Sequence, residues 1–289
     1  MRLRPFELIE PRSVAEAVEA LGRAVAGEAR LVAGGTALVP MLRLGLLRPE
    51  RVISLHRIAK LGRFAVSDGG LHVGAMATMA AIARSAEIAS GWPLLAAAAG
   101  RVATPAIRSS ATLGGNLGYA EPASDPAPAL LCLEAEVDIA GPAGGRSLPL
   151  SRFFTGFYET ALASGEILTA VRVPAAPPGA RSGYVKFCPR SAEDKPLVGV
   201  AALLVMDEGS GRCREARIGL GAVAPSAIRA RRAEAILRGA ALDTATIQAA
   251  ADAAVEETDP ISDLMGSGAY RRQMVRVWVR RLLTSLVDG

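Results

Sequence analysis

TLGGNLGYAEPASDPAPALL, residues 112–131, interrupts a chain that is otherwise rich in alanine and leucine. It contains two adjacent glycines, an asparagine, two carboxylates and three prolines before it becomes apolar. Adjacent glycines allow the backbone to approach another group closely, and short polar side chains beside them provide hydrogen bonds. The stretch therefore predicts a ligand-binding loop followed by an apolar segment.

A second pair of glycines lies earlier in the chain, in LVAGGTALVP at residues 31–40. We expect a buried strand over 29–33, a turn at the two glycines, and a helix over 37–45 with Thr36 as its N-cap. Backbone N–H groups and the positive end of a helix would meet in this turn, which suits a phosphate. For this motif alone, an ordinary tight turn between a strand and a helix remains the alternative.

Together the two motifs predict a pyrophosphate site, because each glycine loop can bind one of the two phosphates. Thr112 and Asn116 would add side-chain hydrogen bonds, and Asp125 is a short acceptor suited to a ribose or ribityl hydroxyl. We expect a helix over 93–102 and a loop over 103–111 before the second motif.

A third glycine-containing segment, GLGAVA at 219–224, matches the GxGxxA pattern of dinucleotide-binding folds. Such a pattern must open directly into a helix, but here Pro225 and Ser226 follow. Asp243, near the expected acidic position, instead has the features of a helix N-cap. We therefore interpret the segment as a glycine-containing β-strand.

Composition and charge limit the class of protein. The chain has 289 residues, of which 51% are hydrophobic and 21% charged, enough for a sizeable core and two or three subdomains. It has no run of about 18 uncharged apolar residues and no signal-peptide pattern, so we expect a cytoplasmic protein without a membrane span. The net charge is +5, but arginines alternate with carboxylates and only 4% of residues are aromatic, which argues against nucleic-acid binding.

Short strands and amphipathic helices alternate along the chain. Ser13 and Glu16 form a capping box at the start of a helix over 13–27, and the next elements follow in the order strand, turn, helix, strand. Hairpins around 68–70 and over 136–150 indicate an antiparallel sheet after about residue 60. These signals predict a mixed α+β fold.

The proline- and glycine-rich segment 172–183 predicts a linker, with a domain boundary near residue 177. Beyond it we expect three strands and then three helices. The last helix has a predicted buried stripe of Tyr270, Met274, Trp278 and Leu282. We interpret its arginines as a solvated face, with subunit docking as the alternative: Arg271, Arg272, Arg276, Arg280 and Arg281.

Metal-binding and histidine-based catalytic sites are not indicated. Cys132, Cys188 and Cys213 are far apart in the chain and match no metal-binding or disulfide pattern. His56 and His72 lie in strand-like runs with no carboxylate motif beside them, and we interpret them as structural or surface residues. The sequence therefore gives no metal ligand.

Two other catalytic arrangements are also disfavoured. Ser191, Lys195 and Tyr119 could be read as nucleophile, base and acid, but they lack the spacing of hydrolase motifs. Glu121 and Asp125 could form an acid pair, yet the prolines between them suggest an extended loop. We therefore assign no catalytic residue.

Several segments of this sequence, including both glycine motifs, resemble the FAD-binding medium subunit of molybdenum hydroxylases, the family of aerobic carbon monoxide dehydrogenase. They also resemble the flavin domain of xanthine dehydrogenase. The similarity covers nearly the whole chain and is carried by LVAGGTALVP, LHVGAMATMAAI, ATPAIRSSATLGGNLGYAEPASDPAPALL, FFTGFYETAL, GEILTAVRVP, GLGAVAPSAIRA and AYRRQMVRVWVRRLL. It implies an α+β fold: a two-subdomain FAD-binding unit of the PCMH or vanillyl-alcohol-oxidase type, then a C-terminal three-stranded antiparallel sheet with three helices. The implied units are two FAD-binding subdomains, over 1–56 and 57–176, and a C-terminal flavoprotein domain over 177–289.

The resemblance also implies which residues bind FAD. Backbone amides of two loops would bind the pyrophosphate: Ala33, Gly34, Gly35 and Thr36 in the first, and Thr112, Gly114, Gly115 and Asn116 in the second. Asp125 would bind toward the ribose or ribityl chain, and Val102 and Leu168 would lie against the flavin or adenine. Lys186 would place a positive charge near the isoalloxazine ring and favour its negatively charged reduced forms.

Two departures from the family pattern bear on the activity. The first loop continues as Gly34-Gly35-Thr36-Ala37, whereas carbon monoxide dehydrogenases resemble GGHS there. The resemblance therefore implies an aldehyde, purine or N-heterocycle hydroxylase rather than one acting on carbon monoxide. Position 195 is a lysine, whereas many relatives carry there an aromatic residue that often approaches the flavin.

The implied function is electron transfer. A large partner would hold a molybdenum cofactor and a small partner [2Fe–2S] clusters, and electrons would pass from them to this FAD and then to an external acceptor. The resemblance implies a dimer of heterotrimers in which those other cofactors belong only to the partner subunits. A self-sufficient FAD oxidase of the vanillyl-alcohol type and a cofactor-free nucleotide-binding or scaffold module remain open as alternatives.

Overall fold

Short parallel strands and two helices form the N-terminal part of the protein in the computed structural model. The structure describes residues 4–23, 27–67 and 69–288. Strands β1 (Glu7–Ile9), β2 (Ala29–Val32) and β3 (Arg51–Ser54) form a sheet in the order β1-β3-β2. Helices α1 (Val14–Gly22) and α2 (Leu38–Leu44) connect them. The predicted order of helix, strand, turn, helix and strand is confirmed, and β1 is an additional strand.

Two predicted helix boundaries in this region are wrong. Ser13 does cap α1, because its Oγ accepts a hydrogen bond from the Glu16 amide (3.1 Å). The helix ends at Gly22, however, and residues 24–26 of the predicted helix lie outside the described part of the chain. Thr36 is not the N-cap of α2. Ala37 occupies that position, already with helical backbone angles (φ −101°, ψ −47°), so the helix begins without a side-chain cap.

An antiparallel sheet forms the middle of the chain. Its strands are β4 (Phe64–Ser67), β5 (Gly70–Gly74), β6 (Glu136–Gly141), β7 (Gly144–Pro149) and β10 (Ile167–Val173), and β8 (Phe154–Gly156) and β9 (Glu159–Thr160) form a separate hairpin. The spatial order is β4-β5-β10-β6-β7. Both predicted hairpins, β4–β5 and β6–β7, are confirmed. Asp68, in the first predicted turn, lies outside the described residues.

Short helices connect β5 to β6. They are α3 (Met79–Arg84), α4 (Ala86–Gly91), α5 (Pro93–Gly100), α6 (Pro105–Ser110), α7 (Leu113–Tyr119) and α8 (Pro126–Cys132). The helix predicted over 93–102 is confirmed as α5. The loop predicted over 103–111 is wrong because it contains α6: Thr104 Oγ1 accepts a hydrogen bond from the Ile107 amide (3.2 Å), and a proline occupies the first helical position. The second glycine motif likewise opens α7 and is not a loop.

The C-terminal part is an antiparallel sheet covered by helices. Its strands are β11 (Ala180–Phe187), β12 (Val198–Met206), β13 (Cys213–Gly221) and β14 (Ile228–Arg229), in that spatial order. Helices α9 (Arg231–Leu237), α10 (Thr244–Glu256) and α11 (Gly268–Asp288) follow. The three predicted strands and three predicted helices are present, and the two-residue β14 adds a fourth strand.

The third glycine segment has the predicted strand structure. Gly219 and Gly221 lie in β13, and β14 follows them, so no helix opens at GLGAVA. Asp243 is the N-cap of α10, and its Oδ1 accepts a hydrogen bond from the Thr246 amide (2.8 Å). Residues 174–179 join β10 to β11. The division of the chain into units at 56 and 176 stays a prediction.

The buried face of α11 differs from the predicted stripe. Leu282 of the predicted stripe is buried, and Met274 and Trp278 are partly buried against the same core, whereas Tyr270 is exposed. The other large buried side chains of α11 are Arg271, Val275, Val279 and Leu283. The interpretation of Arg271 as solvated is wrong, because it is only 5% exposed. Its guanidinium donates to the carbonyl oxygens of Leu197 (2.7 Å) and Ala222 (3.0 Å) and to the Asp263 carboxylate (2.8 Å).

Helix α8 is the most completely buried helix near the glycine motifs. Each of its residues is buried, between α5 and the strands β12 and β13. Gly219 of β13 permits this packing, because a Cβ atom there would lie 2.2 Å from the Pro128 carbonyl oxygen. The apolar half of the stretch 112–131 is therefore enclosed by the C-terminal sheet.

We expect Gly219→Ala to destabilise the protein, because its methyl group would collide with the Pro128 carbonyl of α8. Overpacking a core costs about 1–3 kcal/mol, and more where backbone must move. Gly62→Ala is the control, since a Cβ atom there meets nothing within 4 Å. Thermal unfolding should give a clearly lower Tm for Gly219→Ala alone, and equal values for both variants would contradict this packing.

Candidate functional site

The two glycine motifs, distant in sequence, are in contact in the structure. A Cβ atom on Gly34 would lie 1.9 Å from the Ser110 carbonyl oxygen, so the first motif lies directly against the end of α6. A Cβ atom on Gly115 would lie 3.3 Å from the Cβ of Ala33. Both motifs therefore border one site, as the sequence predicts for a shared ligand.

The first motif offers unpaired backbone donors. It occupies the turn between β2 and α2, and Gly35 there has a positive φ of 71°. Within the described residues, the amides of Gly34, Gly35 and Thr36 have no protein acceptor. Thr36 is exposed, and both glycines are partly exposed. Successive free N–H groups in a turn form a concave site for an anion.

The second motif uses its amides differently. Every amide of the first turn of α7 donates to a protein oxygen: Leu113 to Ala77 (2.9 Å), Gly114 to Ala75 (2.8 Å), Gly115 to the Thr112 hydroxyl (3.1 Å) and Asn116 to the Thr112 carbonyl (2.9 Å). The Gly114 and Gly115 amides therefore already have protein acceptors here, and their predicted binding of the pyrophosphate stays a prediction. The physical reason is that Thr112 caps α7 while the chain at 75–77 satisfies the remaining donors.

Side-chain donors remain at the second motif. Thr112 Oγ1 already accepts a hydrogen bond, so its hydroxyl proton is the group left for a ligand. Asn116 Oδ1 accepts from the Ser124 hydroxyl (2.6 Å), and within the described residues its side-chain nitrogen has no acceptor. Ser124 was not singled out in the sequence, although it lies next to Asp125. Its role is to fix the orientation of the Asn116 amide.

Asp125 and Lys186, predicted to contact different parts of a ligand, form a buried ion pair. Lys186 Nζ lies 3.1 Å from Asp125 Oδ2 and donates to the Arg101 carbonyl oxygen (2.8 Å). Tyr184 donates its hydroxyl proton to Asp125 Oδ1 (2.7 Å). The Lys186 and Asp125 side chains are 3% and 5% exposed.

Burial determines the protonation of this group. It raises the pKa of Asp125 to about 6, while the adjacent Lys186 and the Tyr184 hydrogen bond act in the opposite direction. Burial also raises the pKa of Tyr184 well above its usual value, so its hydroxyl remains a donor. Tyr184 was missed in the sequence. The sequence feature that could have revealed it is the alternation of side chains along a strand, which places Tyr184 and Lys186 on one face of β11.

The two apolar candidates lie in the core that borders the site. Val102 follows α5 and is 8% exposed, and Leu168 in β10 is 5% exposed. Both belong to the same cluster of buried apolar side chains. Nothing in these contacts tests whether they touch a ligand, so their predicted role stays a prediction.

Glu121 contacts two other parts of the chain. Its Oε2 accepts a hydrogen bond from the Tyr158 hydroxyl (2.7 Å) and pairs with Lys195 Nζ. Tyr119 packs edge-on against Tyr158, with ring centroids 5.1 Å apart. Lys195 is thus occupied by an ion pair, and neither the acid pair nor the hydrolase set is formed.

Metal and membrane features can be assessed over the described residues. No group of three or more His, Cys, Asp and Glu side chains there is arranged to bind a metal. His56 is exposed in a 3₁₀ turn, and His72 is exposed on β5 with its Nε2 3.8 Å from Asp138 Oδ2. Across the described ranges, no helix has both the length and the apolar content to cross a membrane.

Two protein families match this chain in succession. The family described as "FAD binding domain in molybdopterin dehydrogenase" matches residues 4–176. The family described as "CO dehydrogenase flavoprotein C-terminal domain" matches residues 183–286. The first match contains both glycine motifs and Asp125, and the second contains Tyr184 and Lys186. The residues brought together in the site therefore come from both matched regions.

Individual relatives align over nearly their full length. The carbon monoxide dehydrogenase medium chain of Hydrogenophaga pseudoflava is 35% identical over 97% of this chain and 96% of its own. The 6-hydroxypseudooxynicotine dehydrogenase complex subunit alpha of Paenarthrobacter nicotinovorans is 34% identical over 93% and 92%. Among solved structures, quinoline 2-oxidoreductase from Pseudomonas putida 86 has a TM-score of 0.93 at 33% identity, covering 100% of this chain and 99% of that one. Because these matches extend along almost the entire chain, it belongs to the FAD-binding medium subunits of molybdenum hydroxylases, the oxidoreductase subunits whose cofactor is FAD.

Proposed function

We propose that this chain relays electrons within a molybdenum hydroxylase complex. In this proposal a large partner holds the molybdenum cofactor, a small partner holds [2Fe–2S] clusters, and an external acceptor takes the electrons. The single observation that carries the proposal is the contact of the two glycine motifs at Gly34 and Gly115, which brings unpaired amides and small residues to one site. When bound, FAD supplies the capacity to exchange electrons singly or in pairs, which a relay between clusters and an acceptor needs.

Phosphate binding is assigned mainly to the first motif. The amides of Gly34, Gly35 and Thr36, unpaired within the described residues, would donate to pyrophosphate oxygens. Thr112 and Asn116 would add side-chain donors from the second motif. The contribution of Gly115 is space, because it is exposed and any side chain on it would project between Thr112 and the first motif.

Lys186 supplies the positive charge of the site in this proposal. Its ammonium is almost fully buried, so its field is weakly screened by solvent. Asp125 neutralises that charge when ionised and leaves it uncompensated when protonated. Since the pKa of Asp125 is about 6, a negatively charged group near Lys186 would be favoured when Asp125 takes up a proton.

The substrate of the complex is proposed only as a class: an aldehyde, a purine or an N-heterocycle. A carbon monoxide dehydrogenase medium chain and a 6-hydroxypseudooxynicotine dehydrogenase subunit match this chain at 35% and 34% identity. Sequence identity therefore does not distinguish between relatives named for different substrates. The proposal rests on Thr36 and Ala37 in the first loop, where carbon monoxide dehydrogenases resemble GGHS.

We further propose a cytoplasmic dimer of heterotrimers. No contact in the site favours a self-sufficient oxidase.

Gly115→Val should give a chain that no longer retains FAD. The added side chain would begin 2.8 Å from Thr112 Oγ1 and 3.3 Å from the Ala33 Cβ, and would fill the space between the motifs. Gly91→Val is the control, since a Cβ atom at this helical glycine meets nothing within 4 Å. Flavin absorbance and mass spectrometry after purification measure retention. Stoichiometric FAD in Gly115→Val, or FMN in the wild type, would count against the assignment.

The raised pKa of Asp125 should make stability depend on pH. The folded protein keeps this proton up to about pH 6, whereas the carboxyl's ordinary pKa is 3.8, so its stabilising effect is full below 3.8 and is lost as pH rises through 6. Between about pH 4 and about pH 7 we expect the wild type to lose up to about 3 kcal/mol relative to Asp125→Asn. Urea unfolding of both proteins measures the difference, and a constant difference across the range would contradict the prediction.

The isolated chain should bind FAD and be reduced by dithionite, yet show no reduction by an organic substrate. The reason is that its described residues offer no metal ligands and no acid–base arrangement at the site. Adding the large and small subunits should restore substrate-dependent reduction, followed by flavin absorbance. Turnover of an organic substrate by the single chain with a dye acceptor would instead establish the self-sufficient oxidase.

A further inference from the structure

Asp125 and Lys186 belong to a small cluster of polar side chains in which the two buried charges cancel. Asp125 Oδ1 accepts a hydrogen bond from the Tyr184 hydroxyl (2.7 Å), and Asp125 Oδ2 accepts one from Lys186 Nζ (3.1 Å). Arg101 is exposed, and its charge acts on Asp125 while its carbonyl oxygen accepts from Lys186. The Cys188 thiol also lies within electrostatic range of the pair. The buried pair is therefore neutral only while Asp125 is ionised.

Lys186 keeps one donor for a ligand. An ammonium group has three N–H donors, and within the described residues Lys186 uses two of them, toward Asp125 Oδ2 and the Arg101 carbonyl oxygen. A negatively charged group that accepts the third hydrogen bond would lie within about 6 Å of the Asp125 carboxylate. In the proposed function, on which this inference rests, that group is the reduced flavin.

The ion pair cannot balance such a charge as it stands. A flavin that gains two electrons and one proton gains one negative charge. The Lys186 and Asp125 side chains are almost fully buried, so solvent would screen that charge weakly from the Asp125 carboxylate. Burial has already raised the pKa of Asp125 to about 6, and a second negative charge nearby raises it further.

Asp125 is also the group that has room for a proton. Lys186 and Arg101 are cations already. Burial raises the pKa of the Tyr184 hydroxyl and of the Cys188 thiol, so both groups already hold their protons. Among the described side chains of this cluster, Asp125 is therefore the one that can accept a further proton.

We propose that Asp125 takes up a proton from solvent when the bound FAD is reduced and releases it when the FAD is oxidised. Two electrons come from the [2Fe–2S] subunit, one proton enters the flavin and a second proton binds Asp125, so each electron pair is accompanied by two protons. The second proton belongs on Oδ2, because Oδ1 accepts the Tyr184 hydroxyl. Protonated Oδ2 is a poor acceptor for Lys186, whose charge is then left for the flavin.

The test is the pH dependence of the FAD reduction potential in the isolated chain, measured by spectroelectrochemical titration. Each proton taken up with an electron pair lowers the equilibrium constant of reduction tenfold per pH unit, about 30 mV for two electrons. Oxidised protein has Asp125 ionised above about pH 6, so this proton is taken up only on reduction. Between about pH 7 and about pH 8 we expect a hundredfold change per unit in the wild type and a tenfold change in Asp125→Asn. Equal slopes in the two proteins would overturn the inference.

A second measurement does not require a variant that binds FAD. Infrared difference spectra of the wild type, reduced minus oxidised at neutral pH, should contain the carbonyl band of a newly protonated carboxyl group, shifted in deuterium oxide. Glu121→Gln is the matched control, because its carboxylate lies in the same segment but contacts Tyr158 and Lys195. It should keep both the wild-type slope and the band. Absence of the band in the wild type, or its loss in Glu121→Gln, would overturn the inference.

Failure of the underlying function would look different. A wild-type chain that retains no FAD would refute the proposed function, and this inference with it. A wild-type chain whose FAD is reduced with only one proton per electron pair would refute proton uptake by Asp125 alone. The wild-type titration therefore separates the two outcomes.

Discussion

The arrangement of the whole molecule depends on the burial of α8, whose two ends are held by charged side chains of the C-terminal sheet. At its start, Asp125 pairs with Lys186 of β11. At its end, Arg217 and Arg229 donate to backbone carbonyls of the last turn, which lack partners within the helix. Because only α7 and the segment 120–125 separate the second glycine motif from the start of α8, these contacts help to fix that motif relative to the C-terminal sheet. The packing of α8 therefore also determines where the second glycine motif lies.

A buried ion pair is a costly way to join two parts of a protein. Removing the Asp125 and Lys186 charges from water costs several kcal/mol, and an apolar pair of similar volume would hold α8 as well. The pair therefore makes more sense as a feature of the site than of the fold. It keeps one positive charge in a dry environment beside a carboxyl group whose pKa, about 6, lies near physiological pH.

The sequence predicted local elements well and side-chain contacts between distant elements poorly. Hairpins, α5 and the C-terminal strands follow from patterns within a few residues, and the family resemblance supplied the site. Arg271 was missed because its acceptors are the carbonyls of Leu197 and Ala222, which only the folded chain brings near α11. The ion pair of Asp125 with Lys186 also depends on tertiary contact, so no spacing rule could reveal it.

In each motif, packing requires the first glycine, and the second glycine stays accessible from solvent. The first glycine of each pair is used for packing: a Cβ atom on Gly34 would lie 1.9 Å from the Ser110 carbonyl oxygen, and one on Gly114 would lie 2.5 Å from the Ala75 Cβ. The second is left at the site: Gly35 has a positive φ and Gly115 is exposed. A single glycine could satisfy only one of these requirements. The paired motif is therefore more specific for this site than either glycine would be in an ordinary turn.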